Sequence, residues 1–358
     1  DLIRNKKKMI ENNRHPFACT TLAITDKKKR VYHGRTMEFS SDEPTSILAY
    51  YPQGHTFQQN APDGTPGLKY SVKYPFMAIT APINLSGTKD VLEGVNSQGL
   101  SFSLNMLPNS KLDDLDPQYY ASSVPIAAIG EWALGQYATV KELKEIIPQT
   151  HFWSQKLLLL RNLPSPFHYA FYDKTGDCIV VEVSDGKLHI YDNPTYCMTN
   201  GPIFPWHLTN LNNYTHLSNI NVSSSTLGRI KINQPDSGIA LATLPSSDTS
   251  VDRFIRAVYY STYYHKVSDP DKQLIELAHI MNRFDRPKDA TIDPLLGNDT
   301  LTKLHTSEFS VWTALTDLER GIFFFRGYNN LNFQKFTLES FKNESSAVFI
   351  KVNLEEAL

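Results

Sequence analysis

Cys19 opens a short apolar run, Ala18-Cys19-Thr20-Thr21, and a second run, Gly34-Arg35-Thr36-Met37-Glu38-Phe39, returns an arginine and a carboxylate. A sulfur nucleophile needs a cation nearby to hold the thiolate, and its base needs an anchor. Arg35 supplies the first and Glu38 the second. If the chain were cut before Cys19, that residue would also carry a free α-amine, whose unperturbed pKa of roughly 7.7–8.0 lets it act as a base near neutral pH. Nucleophile and base would then share one residue, which lowers the entropic barrier to assembling them.

His33, His207 and His265 are the rival bases for a cysteine–histidine mechanism. His207 follows Pro205-Trp206, where a structural role fits better. A papain-like arrangement needs its cysteine at a helix start, and Cys19 opens a strand. The eleven histidines form no metal set, and Cys19, Cys178 and Cys197 lack the spacing of a zinc site. No cofactor is expected. Cys178 and Cys197 fall in apolar patches and read as buried small hydrophobes, with a disulfide between them left open.

The elements that must carry these residues follow from periodicity and turn chemistry. Residues 20–25 and 30–35 read as strands joined at Asp26-Lys27-Lys28-Lys29. The Pro-, Gly-, Ser- and Gln-rich stretch 41–67 reads as one long loop shaping a pocket. Strands are expected over 76–80, 91–95 and 100–106, the last two turned by Asn96-Ser97-Gln98-Gly99. Residues 123–137 show helical spacing interrupted by Gly130 and Gly135, and a helix over 139–147 has Thr139 and Glu142 as a capping box. Strands return over 168–173, 178–183 and 187–192, helices over 252–264 and 271–282, and a final hairpin over 309–316 and 321–326. Hairpins dominate, so the fold class is α+β with mostly antiparallel sheets, not alternating βαβ units.

The chain has 358 residues, 41% hydrophobic and 20% charged, enough for one large domain or two ordinary ones. A net charge of −2 gives no electrostatic case for nucleic acid. No apolar run approaches the roughly 18 residues of a membrane span. Residues 1–18 are polar and crowd Arg4, Lys6, Lys7, Lys8 and Arg14; with no apolar core they are not a complete signal peptide. They read as a leader that blocks the Cys19 amine, with residues 19–358 as a single catalytic domain. Because the chain begins with Asp, something upstream is expected to have been removed or omitted.

Several motifs in order carry a family resemblance. They are Cys19-Thr20, Gly34-Arg35-Thr36-Met37-Glu38, Glu93-Gly94-Val95-Asn96-Ser97-Gln98-Gly99-Leu100, Leu104-Asn105, Met198-Thr199-Asn200-Gly201-Pro202, Trp206-His207, Leu244-Pro245 and Arg253-Phe254-Ile255-Arg256. Together they resemble the choloylglycine hydrolase and penicillin V acylase family of N-terminal nucleophile hydrolases, from Cys19 to beyond Tyr328. The resemblance implies a four-layer αββα sandwich with Cys19 on a sheet edge strand. It implies hydrolysis of linear amides in N-acyl compounds, with Cys19 as nucleophile, Arg35 favouring its thiolate and Glu38 hydrogen-bonding its α-amine. The family usually has Asp where this chain has Glu38. The resemblance further implies that Asn105 and Asn200 donate to the oxyanion, and that Arg253 stabilises the transition state or orients Glu38.

Three substrate classes fit: conjugated bile salts, penicillin V and N-acyl homoserine lactones. Asn105 resembles the bile salt branch, since penicillin V acylases more often have Tyr there. Phe39, Tyr50, Tyr51, Phe57 and Trp312 could line an acyl pocket. A non-catalytic, uncleaved binding protein with the same fold is the remaining alternative. The expected partners are a small-molecule amide and, by resemblance, further copies of the chain as dimer or tetramer, and the expected compartment is extracytoplasmic, periplasmic or secreted.

Overall fold

The hairpin that begins the fold is longer than its sequence signals. Phe17–Thr25 and Val31–Phe39 pair residue for residue from Phe17↔Phe39 to Thr25↔Val31. Asp26 closes the turn by accepting hydrogen bonds from Lys28 N and Arg30 N. A computed structural model describes residues 17–39, 46–80, 90–157, 163–294 and 305–352. Most of the expected leader therefore lies outside the described residues, but Phe17 and Ala18 continue the strand that carries Cys19.

Two antiparallel sheets form the centre. The first has six strands in the order Cys197–Met198, Phe17–Thr25, Val31–Phe39, Phe309–Asp317, Ile322–Gly327, Gln334–Thr337. The second has eight: Lys187–Asp192, Cys178–Ser184, Phe167–Asp173, Leu100–Met106, Val91–Asn96, Phe76–Thr80, Ile47–Tyr51, Val348–Lys351. The sheets face each other through Thr21, whose hydroxyl lies 3.1 Å from that of Ser103. Strands covered on both faces bury every residue, as Leu100–Met106 and Phe309–Asp317 do.

Helices complete the outer layers. Ser250–Thr262 and Pro270–Met281 cover the six-stranded sheet, where Phe254, Ile255, Leu277 and Met281 join Leu22, Ile24 and Leu315 in one buried cluster. Burying each such side chain stabilises by about 1.5–3 kcal/mol. Ile129–Gln136 and Val140–Ile146 cover the other sheet. Gly130 lets the first of these approach closely, because a Cβ there would lie 2.4 Å from the Phe102 ring. The capping box forms in part: Thr139 accepts from Glu142 N, but the Glu142 carboxylate accepts from Ala138 N, one residue before the cap. The order is helix, sheet, sheet, helix: the four-layer αββα sandwich.

Three expectations need correction. The stretch 41–67 is not one loop: it holds the strands Ile47–Tyr51 and Thr56–Asn60 and the start of Pro66–Ser71. The apolar run Ile47-Leu48-Ala49-Tyr50-Tyr51 fills a sheet position that local composition concealed; residues 41–45 lie outside the described residues. The helix read over 123–137 starts only at Ile129, after a strand Ser123–Pro125 and a 3₁₀ turn, because Pro125 disfavours helix before it. Cys19's strand is not the outermost one. The two-residue strand Cys197–Met198 flanks it and pairs at Thr21 and Leu22, and among the described residues the Cys19 end has no strand neighbour on that side.

Candidate active site

Cys19 alternates with Thr20 along its strand, so the thiol faces the second sheet and Thr20 faces the helices. Arg35, from the neighbouring strand, reaches the thiol from the same face: its Nη2 lies 3.3 Å from Cys19 Sγ. Backbone carbonyls of Leu92 and Leu104 accept from the same guanidinium, and the Trp312 ring lies 5.0 Å from its centre. Arg35 is wholly buried. Cys19 itself is 1% exposed, and burial pushes its thiol up while Arg35 opposes that shift. Met37, Leu92, Leu104, Met106 and Phe167 complete a small apolar pocket around Cys19 and Arg35, with a cavity volume of about 10 Å³, room for one water at most.

The backbone of Cys19 is held from the other side. Its N–H, a peptide group here, donates to Asn200 Oδ1 at 2.9 Å. Arg253, on the first turns of Ser250–Thr262, donates to Cys19 O, to Thr20 Oγ1 at 2.8 Å and to Asn200 Oδ1 at 2.7 Å. Burial, with Arg286 nearby, lowers Arg253 to about 10, Glu38 opposing. Asn200 and Asn105 clamp two segments reciprocally. Asn105 Nδ2 donates to Thr199 O at 2.7 Å and Met198 O at 3.3 Å, and Asn200 Nδ2 donates to Met106 O at 3.0 Å. Asn105 thus gives both N–H groups of its carboxamide to carbonyls, and Asn200 gives one.

Glu38 lies opposite Ala18 in the ladder, on the helix-facing side, and does not hydrogen-bond Cys19 N. It is fully buried. Its Oε1 accepts from Ser310 Oγ at 3.1 Å, and its Oε2 has no hydrogen-bond partner among the described residues. Burial pushes the carboxyl up; Arg253 and Arg286 pull it down. The rival histidines are placed elsewhere. His33 lies against Glu93, His207 Nε2 lies 2.9 Å from Asn200 O, and His265 is exposed beside Glu276. Asn200 O is a carbonyl, so His207 Nε2 is the donor.

Sequence reasoning brought together Cys19, Arg35, Asn200 and Arg253, but missed the groups that hold them. Glu182 accepts from Phe204 N and lies 3.1 Å from His168, whose Nε2 is 3.0 Å from Thr199 O. Glu93 pairs with Arg35. The signal was a lone glutamate inside an apolar strand, in Val91-Leu92-Glu93-Gly94-Val95 and in Val180-Val181-Glu182-Val183. The aromatic pocket expectation is also corrected. Tyr51 and Phe57 stack with Phe76, and Tyr50 with Phe341, in the core of the eight-stranded sheet, while Trp312 covers Arg35. Cys178 and Cys197 are free and buried. Among the described residues no cluster suits a metal, and no helix is long and apolar enough to cross a membrane.

The profile of the linear amide C–N hydrolases, choloylglycine hydrolase family, matches residues 19–349. A bile salt hydrolase/transferase of Clostridium perfringens is 26% identical over 321 residues, covering 87% of this chain and 90% of that one. The fold matches the crystal structure of a conjugated bile acid hydrolase variant from Clostridium perfringens with a TM-score of 0.77 at 23% identity, over 94% of this chain and 97% of that chain. It matches a penicillin V acylase from Agrobacterium tumefaciens with a TM-score of 0.74 at 20% identity, over 95% and 94%.

Proposed function

Because this chain belongs to the choloylglycine hydrolase family of linear amide C–N hydrolases, we propose that Cys19 is its nucleophile and that removal of the residues before it frees the base. The observation that carries this reading is the approach of Arg35 Nη2 to Cys19 Sγ at 3.3 Å while Asn200 holds Cys19 N at 2.9 Å. With the Ala18–Cys19 bond intact, that nitrogen is an amide and cannot accept a proton. Once freed, the amine takes the thiol proton, and sulfur attacks the substrate carbonyl. The tetrahedral intermediate collapses to a thioester as the ammonium returns the proton to the leaving nitrogen. Water, deprotonated by the same amine, then releases the acid and restores the thiol. Asn105 and Asn200 are the proposed oxyanion donors, each exchanging its present carbonyl acceptor for the developing charge. Glu38 Oε2 and the Arg253 guanidinium flank the new chain start.

Within that chemistry the preferred substrate is a conjugated bile salt. Asn105 leaves room and a polar donor where a tyrosine ring would fill space. Penicillin V and N-acyl homoserine lactones are the alternatives, each a secondary amide beside an apolar acyl group. A second copy of the chain is the proposed partner. Among the described residues the hairpin Ser224–Leu227 and Ile230–Asn233 forms a two-stranded sheet of its own and exposes Leu227 and Ile230 by 64% and 67%.

Two measurements test the reading. The mass and N-terminal sequence of the active protein should begin at Cys19, and Cys19→Ala should abolish turnover; an active sample that still carries residues before Cys19 defeats the mechanism. Parallel kcat/KM values for glycocholate, penicillin V and a long-chain N-acyl homoserine lactone decide the substrate. A clear preference for either of the last two overturns the bile salt assignment and leaves the amidase chemistry standing.

A further inference from the structure

Glu93 interrupts an apolar strand and is 1% exposed. It projects from the eight-stranded sheet towards the six-stranded one. Its Oε2 lies 3.5 Å from Arg35 Nη1 and accepts from Ser103 Oγ, and its Oε1 lies 3.1 Å from His33 Nδ1. His33 continues the array: its Nδ1 is also 2.6 Å from Ser101 Oγ, its Nε2 is 2.6 Å from Thr21 Oγ1, and its ring packs 4.3 Å from Tyr172. At the other end of the guanidinium, Arg35 Nη2 faces Cys19 Sγ. One buried cation therefore stands between two acids. The other oxygen acceptors of Arg35, Leu92 O and Leu104 O, are neutral.

Among the described residues, the titratable groups that face Glu93 are Arg35 and His33 from Val31–Phe39 and Tyr172 from Phe167–Asp173. Burial keeps His33 neutral, with its pKa lowered to about 3. It keeps the Tyr172 phenol well above its ordinary value. Arg35 is then the one charged group facing Glu93, and it is the group Glu93 shares with Cys19, which Glu38 and Arg253 also reach from the helix side. A buried cation accommodates one anion beside it far better than two.

We propose that Glu93 is a positioning residue for the nucleophile, a carboxylate that competes with the Cys19 thiolate for the single Arg35 guanidinium. With Glu93 ionised, Arg35 is already neutralised and the thiol keeps its proton. With Glu93 protonated, the full field of Arg35 acts on sulfur. Burial raises the Glu93 carboxyl to about 8, Arg35 and Ser103 opposing, so it titrates in the range of a cysteine. The two protons then come off as a coupled pair. Leu92 O and Leu104 O hold the guanidinium in place, so removing the Glu93 charge strengthens the attraction for thiolate instead of releasing Arg35.

This inference rests on Cys19 being the nucleophile, and the test separates the two. The pH dependence of Cys19 alkylation by iodoacetamide is measured on amidase-active protein, together with residual amide hydrolysis. Glu93→Gln keeps the size and one acceptor oxygen for Ser103 and Arg35 but removes the charge. It should shift the alkylation midpoint down by about one pH unit. Ser103→Ala removes the hydroxyl that donates to the Glu93 carboxylate, along with its contacts to Thr21 and His33, leaves the carboxyl itself in place, and should shift the midpoint down by less. It carries the test if Glu93→Gln fails to fold. An unchanged or raised midpoint in the variant that folds overturns the role of Glu93. Cys19 alkylation that leaves hydrolysis intact overturns the nucleophile instead.

Discussion

Asn200 Oδ1 lies 2.9 Å from the backbone nitrogen of Cys19 and also accepts from Arg253 Nη2 at 2.7 Å. One carboxamide thus ties the helix that carries Arg253 to the residue that carries the thiol. Asn200 is itself set by Ser250 Oγ, which accepts from Asn200 N at 2.9 Å, and by His207 on its carbonyl. Asn200→Ala should lower kcat by on the order of 10²–10³ and change KM much less, because the oxyanion role proposed for Asn200 acts on charge that exists mainly in the transition state. Steady-state kinetics on active protein check this; a pure KM effect would place Asn200 in ground-state binding.

Arg253 serves Cys19 O, Thr20 Oγ1, Asn200 Oδ1 and, through Nε, Asp248 O at 2.9 Å. It also faces the buried Glu38 carboxyl, which it helps to ionise. Arg253→Ala strips donors from several buried acceptors and leaves Glu38 with less compensation, and should cost about 3–5 kcal/mol. Urea denaturation read by tryptophan fluorescence would show it as a lower midpoint with an unchanged slope.

Gly94 sits under the helix Ile129–Gln136. A Cβ there would meet Met77 O at 2.9 Å and Leu134 Cδ1 at 2.8 Å. The backbone oxygen cannot move aside without breaking the sheet. Gly94→Ala should therefore destabilise by about 1–3 kcal/mol, seen as a lower Tm.

His207 is buried, stacked on Phe254 at 4.6 Å, and its pKa is lowered to about 4, burial being the main cause and the Asn200 hydrogen bond opposing it. An unfolded histidine titrates near 6.5, so between these values the unfolded chain binds more protons. The stability that His207 contributes is therefore complete above about pH 6.5 and is lost as pH falls towards 4. His207→Gln keeps a donor for Asn200 O but does not titrate. It should flatten the loss of stability across that window by up to about 3 kcal/mol, measured by denaturation at several pH values.

The hairpins were legible because their signals are local. Alternation, turn residues and capping act between near neighbours, so the strands around Cys19, the Asn96–Gly99 turn and the Thr139 cap needed no distant information. Cys19, Arg35, Glu38, Asn105, Asn200 and Arg253 could be picked out as candidates because each lies in a short local motif, Arg35 and Glu38 in the same one. How they are joined was not legible. A bulge shifts the ladder between Met37 and Glu38, so that Met37 faces Trp312 while Glu38 faces Ser310. That single skipped residue delivers the Ser310 hydroxyl to the Glu38 carboxylate, and no pattern in either strand announces it. The sequence likewise contains Glu93 and His33 but not their meeting with Arg35, because that contact exists only after two sheets from distant parts of the chain have packed face to face. Tyr50 and Tyr51, which looked suited to an acyl pocket, went instead to the core, where packing against Phe341 and Phe76 removes their rings from water. Local chemistry determined which residues could react; long-range packing decided which charges each of them must face.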